Sequence, residues 1–220
     1  MVLRNLLKSI ALFVLVIGFS YQSNASHVSG GNITYQCLGN GDYEITLTLY
    51  GDRESSLTPP QSPDIVTNPS IDILSDCGMS QSLTLTSNGP PTEVSQLCAS
   101  QLPNSTCNGG SLSGYVTQTY SAVINLSDCD CYTFSYELCC RNGAITNISS
   151  PQRDDFYAES TMCSQTLSCN NSPVFTAQPA PSVCLNQTAN YDYGVVEPDG
   201  NTMEYTIVEA LGGGGARVTD

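Results

Sequence analysis

Sulfur is the most concentrated reactive chemistry in this chain: eleven cysteines, ten of them between Cys37 and Cys169. Thiols in such number either ligate metal or oxidise to disulfides, and the redox compartment decides between the two. A second constellation is built on oxygen. Glu197, Asp199 and Asn201 place three side-chain oxygens at alternate positions of a loop that also holds Pro198 and Gly200. Calcium takes about six to eight oxygens, so a site here would need help from Asp192 or a neighbouring segment. The same residues also suit a plain Asp-Gly turn between strands. Asp128 with Asp130, and Asp154 with Asp155, are sparser acidic loops of the kind usually solvated at a surface. Arg141 follows a cysteine pair, where it can clamp a ligand carboxylate or hold a loop through backbone carbonyls. Hydrolytic chemistry finds no support: His27 is the sole histidine, and triads or zinc sites need one with placed partners. The stretch Gly110-Ser111-Leu112-Ser113-Gly114 is one residue out of register for a nucleophile elbow. No catalytic constellation emerges, and the chain is expected not to be an enzyme.

The compartment is read from the N-terminus. Residues 1–25 have the form of a signal peptide, with Arg4 and Lys8 ahead of an apolar run over 10–19 and Ser23-Asn24-Ala25 at the cleavage positions. The run is about ten residues, whereas a bilayer span needs about 20. Export implies oxidised sulfur, so Cys37, Cys77, Cys98, Cys107, Cys129, Cys131, Cys139, Cys140, Cys163 and Cys169 are candidates for up to five bridges, with connectivity open. The closely spaced candidates are Cys98 with Cys107 and Cys163 with Cys169. Cys184 is the expected unpaired residue. The metal alternative, Cys129-Asp130-Cys131 with Cys139-Cys140, lacks the Cys-x-x-Cys spacing of zinc knuckles. The net charge of −14 becomes more negative once the leader departs, because no lysine follows Lys8. Such a surface repels nucleic acid and anionic lipid, which are bound through Lys and Arg.

The elements that must position these residues are strands, because the apolar period is two nearly everywhere. In Tyr43-Glu44-Ile45-Thr46-Leu47-Thr48-Leu49 the odd positions are apolar, and the same holds in Ile33-Thr34-Tyr35-Gln36-Cys37. Between them lies Leu38-Gly39-Asn40-Gly41-Asp42, a turn signal. Parity favours a three-residue loop over 39–41, which sets Ile33 opposite Leu47, Tyr35 opposite Ile45 and Cys37 opposite Tyr43 on one buried face. Further strands are expected over 71–74, 82–86, 115–126 and 132–140. In the last, Tyr132, Phe134, Tyr136, Leu138 and Cys140 share a face, so the adjacent Cys139 and Cys140 should point apart and not pair with each other. The predicted fold class is all-β: a disulfide-rich β-sandwich-like module over 26–170, followed by the start of an Ig-like or cadherin-like β-sandwich over 171–220. In that second unit, strands are expected at Pro173-Val174-Phe175 and over 191–196 and 203–208.

Several blocks also carry a resemblance. Ser26-His27-Val28-Ser29-Gly30-Gly31-Asn32-Ile33-Thr34-Tyr35-Gln36-Cys37-Leu38-Gly39 resembles the mature N-terminus of large secreted Bacteroidetes proteins of the PKD-domain or gliding-motility-associated C-terminal-domain type. The likeness continues through Tyr120-Ser121-Ala122-Val123-Ile124-Asn125-Leu126, Cys139-Cys140-Arg141-Asn142-Gly143-Ala144 and Asn171-Ser172-Pro173-Val174-Phe175. It implies a multi-domain surface protein exported by the type IX system, with a structural or adhesive role. Two departures stand out. The family tends to read Tyr-Arg-Asp-Cys where this chain has Tyr50-Gly51-Asp52-Arg53, which would account for the odd cysteine count. Glu197 and Asn201 replace the outer aspartates of Asp-Pro-Asp-Gly-Asp. The expected function is a secreted or cell-surface module meeting glycans, matrix or neighbouring cells. The alternative is a carbohydrate-binding module, since exposed tyrosines stack on sugars and the chain has 12. Calcium is the one cofactor the residues suggest.

Overall fold

The computed structural model describes residues 28–53, 65–126, 129–141, 145–163, 169–178, 186, 188, 190–216 and 218. The expected leader (1–25), His27, Asp128 and Cys184 lie outside the described residues. The strands are β1 Val28–Gly39, β2 Asp42–Arg53, β3 Ser70–Ser75, β4 Ser80–Thr84, β5 Thr86–Ser87, β6 Thr92–Glu93, β7 Gly114–Asn125, β8 Cys131–Leu138, β9 Phe156–Cys163, β10 Val174–Phe175 and β11 Val195–Val196. The chain is all-β. One sheet runs β1-β2-β7-β5 with β6 also on β7, and a second runs β4-β3-β8-β9. Every pairing between these strands is antiparallel.

The first hairpin has the expected parity. Ile33 lies opposite Leu47, Tyr35 opposite Ile45 and Cys37 opposite Tyr43. The loop itself differs from the expected three residues: Gly39 pairs with Asp42, and a register shift between Cys37 and Gly39 absorbs one residue. A two-residue Asn40-Gly41 turn, both at positive φ (55° and 81°), therefore coexists with the register that buries one uniform face. The bulge reconciles the turn preferred by Asn-Gly with the parity demanded by the core.

Alternate residues of both sheets meet in one core. Ile33, Tyr35, Tyr43, Ile45, Leu47, Leu49 and Tyr120 pack against Ile71, Ile73, Tyr132, Phe134, Tyr136, Phe156 and Met162. The rings of Tyr35 and Phe134 lie 5.8 Å apart across the sheets. Close approach matters at Gly31, where a Cβ would sit 2.7 Å from the Thr48 carbonyl oxygen and 3.3 Å from the Phe156 ring.

One polar side chain stands where the period demands an apolar one. Gln118 follows Val116 on the inward face of β7 and is only 2% exposed. Its Oε1 accepts from the Ile65 amide at 2.8 Å and lies 2.7 Å from the Tyr120 hydroxyl. Its Nε2 donates to Ser87 Oγ at 3.0 Å and to the Gly89 carbonyl at 3.2 Å. With its amide valences filled, Gln118 ties two loops to the sheet at no net burial penalty.

Three disulfides bind the sandwich at long range: Cys37–Cys169, Cys77–Cys129 and Cys131–Cys163. The last joins residues directly opposite in the β8–β9 ladder. Sequence separations of 132, 52 and 32 correspond by loop-closure entropy to about 4–5 kcal/mol each. Two short-loop expectations are corrected here. Cys163 and Cys169 do not pair with each other, because the ladder places Cys131 opposite Cys163 and β1 brings Cys37 to Cys169. Cys98 and Cys107 are both free thiols, Cys98 exposed and Cys107 half-buried.

A fourth bridge joins Cys139 to Cys140, against the expectation that they point apart. Cys139 is exposed and Cys140 buried, as strand parity required. However, β8 ends at Leu138, so alternation no longer controls the direction of the two sulfurs. After Cys169 the chain returns to β1: the Ser172 amide donates to the Tyr35 carbonyl at 2.9 Å, and the Tyr35 amide donates to Ser172 Oγ at 2.9 Å. The expected strand over 203–208 has no ladder partner among the described residues, and Ile207 there is 98% exposed.

If the Gln118 network holds these loops, Gln118→Leu leaves buried donors unanswered. It should lower stability by roughly 1–3 kcal/mol, read as a shifted urea midpoint. Thr119→Val, on the outer face of the same strand, should change it by less than about 0.5 kcal/mol.

Candidate functional site

Parity along β8 turns Glu137 outward, and the β8–β9 register sets Tyr157 directly opposite it. Asp155 immediately precedes β9. Over these three side chains lies a run of four glycines from Gly212 to Gly215, of which Gly213–Gly215 forms a 3-10 turn. The Gly214 amide donates to Glu137 Oε2 at 2.6 Å. A Cβ on Gly213 would stand 2.6 Å from Asp155 Oδ2 and 3.2 Å from Glu137 Oε1, and one on Gly215 would meet the Tyr157 ring at 3.4 Å. Only glycine lets backbone approach the two carboxylates this closely. The run is a covering turn.

The edge of this corner is the Cys139–Cys140 bridge, with the Asp155 carboxylate within 4.8 Å of both sulfurs. Sulfurs joined to each other are not thiolate ligands, so the cluster is no metal centre in this oxidation state. Arg141 is a loop holder. Its Nη2 donates to the Leu211 carbonyl at 2.6 Å, its amide donates to the Asp154 carbonyl at 2.8 Å, and its Nε is buried without a hydrogen-bond partner among the described residues. Burial raises the Asp155 carboxyl above the usual range. The facing Glu137, through charge and a shared hydrogen bond, and Asp154 add to the rise, while Arg141 opposes it. Nearby, burial pushes the Tyr136 phenol up to about 12.

The oxygen-bearing loop is drawn together differently. Both Asp199 oxygens are engaged by Asn171, from its amide at 2.6 Å and its Nδ2 at 2.8 Å. Asn171 Oδ1 in turn accepts from the Cys37 amide at 2.9 Å. Glu197 Oε2 accepts from the Asn201 amide at 2.6 Å, and Asp192 Oδ1 accepts from the Gly194 amide at 2.8 Å. A calcium ion at Glu197, Asp199 and Asn201 would have to displace these amide donors. Asp130 stands apart on the short turn that leads into β8.

Sequence reasoning did not single out the polar pocket around Cys107. Glu93 accepts from Ser95 Oγ at 2.7 Å and from Asn108 Nδ2 at 2.8 Å. Burial opposes ionisation of Glu93, yet hydrogen bonds from Ser105, Ser95, Asn108 and Cys107 carry its carboxyl below the usual range. Burial and the Glu93 charge push the Cys107 thiol up, which makes it a poor nucleophile. A Cβ on Gly114 would touch Cys107 Sγ at 2.6 Å, and Gly114 is the ladder partner of Arg53. Side chains directly opposite in a ladder share a face, so position 53 faces the same sulfur.

Comparison of the chain with family models, with curated proteins and with solved structures gives no match.

Two outcomes are expected. Arg53→Cys should form a bridge to Cys107, seen as a new disulfide-linked peptide in non-reducing mass mapping, with Cys98 still alkylable; a 53–98 link would contradict the geometry. The second concerns pH. The folded Asp155 carboxyl holds its proton more tightly than the unfolded one, so its contribution favours the fold in acid. That contribution is lost as pH rises through the unfolded and then the folded value. Asp155→Asn should therefore gain melting temperature relative to wild type as pH rises from below the ordinary carboxylate range to above it. A gap that stays constant with pH would show that Asp155 is not the source.

Proposed function

We propose that this chain is a secreted or cell-surface structural and adhesive module that works by recognition and not by turnover. The observation that carries this reading is the fate of its converging carboxylates. Glu137 and Asp155 meet at one corner, but the Gly214 amide takes up Glu137 and the Gly213 backbone closes on both carboxylates, so the pair is spent on holding the turn. The bridges support the reading too, since cross-linked sheets keep a fold intact where no reducing cytoplasm or repair machinery is at hand. Among the described residues no helix is long and apolar enough to cross a membrane. The resemblance to secreted Bacteroidetes surface proteins agrees with this role. In this reading the loops and the C-terminal stretch meet matrix, glycans or neighbouring cells.

One observation favours carbohydrate as the ligand. Most core tyrosines are unavailable for stacking, but Tyr191 and Tyr193 are exposed and pack edge to face at 4.9 Å, close to the exposed Phe175 hairpin. Aromatic faces of this kind can stack on sugar rings.

The test uses the oxidised protein on immobilised extracellular matrix, on intact cells and on a glycan array. Saturable retention on matrix or cells, abolished by reduction and alkylation, is the expected result. Binding to the array that disappears in Tyr191→Ala/Tyr193→Ala would assign the sugar-binding role instead. Absence of binding to all three surfaces would remove the adhesive reading.

A further inference from the structure

The C-terminal stretch leaves its apolar side chains uncovered. Tyr205 is exposed, and Ile207 and Val208 are 98% and 75% exposed, more than the exposed Leu38, Leu74 and Val123 of the two main sheets. Ile207, Val208, Glu209 and Leu211 run beside Glu159 of β9 and enclose an open groove of about 510 Å3, within the range of ligand pockets. Ile207, Val208 and Leu211 make its aliphatic part, and the exposed Glu159 and Glu209 its acidic part.

β9 is the edge of its sheet. No backbone hydrogen bond outside its ladder with β8 reaches Phe156–Cys163 among the described residues. An open edge with outward amides and carbonyls is a template for an added strand. The opposite sheet treats its own edge differently: β1 is capped at Tyr35 and Cys37 by Ser172 and Asn171. β1 comes alongside β9 near Phe156, but among the described residues it makes no backbone hydrogen bond to β9, whose outer ladder groups stay unpaired.

Charge selects the occupant. Glu159 takes one hydrogen bond, from the Tyr157 hydroxyl at 3.0 Å, and among the described residues no ion pair forms to it. The chain has no lysine after Lys8, and Arg141 is spent on the Leu211 carbonyl. Glu137, Asp154 and Asp155 lie on the same corner. Among the described residues no cation pairs with Glu159, so a basic side chain of another molecule can meet it there.

We propose that the β9 edge and the Ile207–Leu211 wall bind an extended protein segment of alternating basic and aliphatic residues. Its backbone would pair with β9, its aliphatic side chains would pack on Ile207 and Val208, and a Lys or Arg would reach Glu159. This names a partner class for the adhesive role above and rests on that role.

The probe is an acetylated, amidated peptide of alternating lysine and valine, seven residues long by design to match a short strand. A glutamate-valine peptide of the same length is the control. Binding to the oxidised protein is read by fluorescence anisotropy. The lysine peptide should bind wild type and lose at least about tenfold in affinity, about 1.4 kcal/mol, in Glu159→Lys and in Ile207→Asp. Glu44→Lys, on the other sheet, should leave affinity within about twofold. Equal weakening by Glu159→Lys and Glu44→Lys would reduce the effect to bulk charge, and equal binding of both peptides would remove the charge argument; either result overturns the proposal. Melting temperatures of the variants identify any that fail to fold, and Glu159→Gln then stands in for Glu159→Lys, with the same loss expected. On the matrix and cell surfaces, retention of wild type together with undiminished retention of Glu159→Lys and Ile207→Asp would sink the groove and spare the adhesive reading. Failure of wild type to be retained would sink that reading, whatever the peptide does.

Discussion

Side-chain parity along β2 governs everything that packs against it. β2 lies between β1 and β7, and its alternate residues Tyr43, Ile45, Leu47 and Leu49 form one wall of the core. A slip of one residue against either neighbour would turn polar side chains inward on the slipped strand. The chain meets that constraint with a small device. Asn40 and Gly41 make the two-residue turn their chemistry favours, and the irregularity between Cys37 and Gly39 takes up the odd residue. The Cys37–Cys169 bridge and the Ser172 and Asn171 hydrogen bonds then act on a strand whose register is already set. They lock the β1 edge and do not define it.

The strands with clean alternation were legible because period two is a local property. The β1–β2 register, the inward face of β8 and the expected β3 and β7 all follow from residues close in sequence. Three features were not legible, each for a physical reason. β9 carries Ala158, Glu159 and Ser160 at its centre, so its apolar signal is weak, and its place comes from pairing with β8. Gln118 breaks the apolar face of β7, and only the folded loops at Ile65 and Gly89 show why it is tolerated. Disulfide partners are set by which elements lie side by side, so proximity in sequence misled for Cys98 with Cys107 and for Cys163 with Cys169. The parity argument for Cys139 and Cys140 described their burial correctly, yet it could not govern sulfurs beyond the last ladder residue.

The candidate site was legible only in fragments. Asp154-Asp155 and Arg141 each stood out as residue types, but the glycines that meet them lie up to about 75 positions away and no local pattern joins them. Their meeting depends on the chain after Cys169 returning across the β8–β9 end. That return is held by several weak links: Arg141 on the Leu211 carbonyl, the Gly214 amide on Glu137, and Asp199 on Asn171. Each is a charge-assisted hydrogen bond, stronger than a neutral one. The last two use acidic side chains as acceptors for the chain's own amides, which is one way a protein with so few cations can satisfy its carboxylates.

That economy has a consequence for recognition. Where a backbone amide reaches an acid, as at Glu137 and Asp199, the carboxylate becomes part of the scaffold and is poorly placed to meet another molecule. Where only a neutral hydroxyl reaches it, as at Glu159, the charge is left to act outward. At the surface such a charge adds little to stability, but beside the uncovered Ile207 and Val208 it adds direction to an otherwise nonspecific apolar patch. Apolar area supplies most of the free energy of association, and a placed charge discriminates among partners. In the proposed reading, the disulfide-locked sheets serve mainly to hold that combination rigid, so that little ordering is needed when a partner strand arrives.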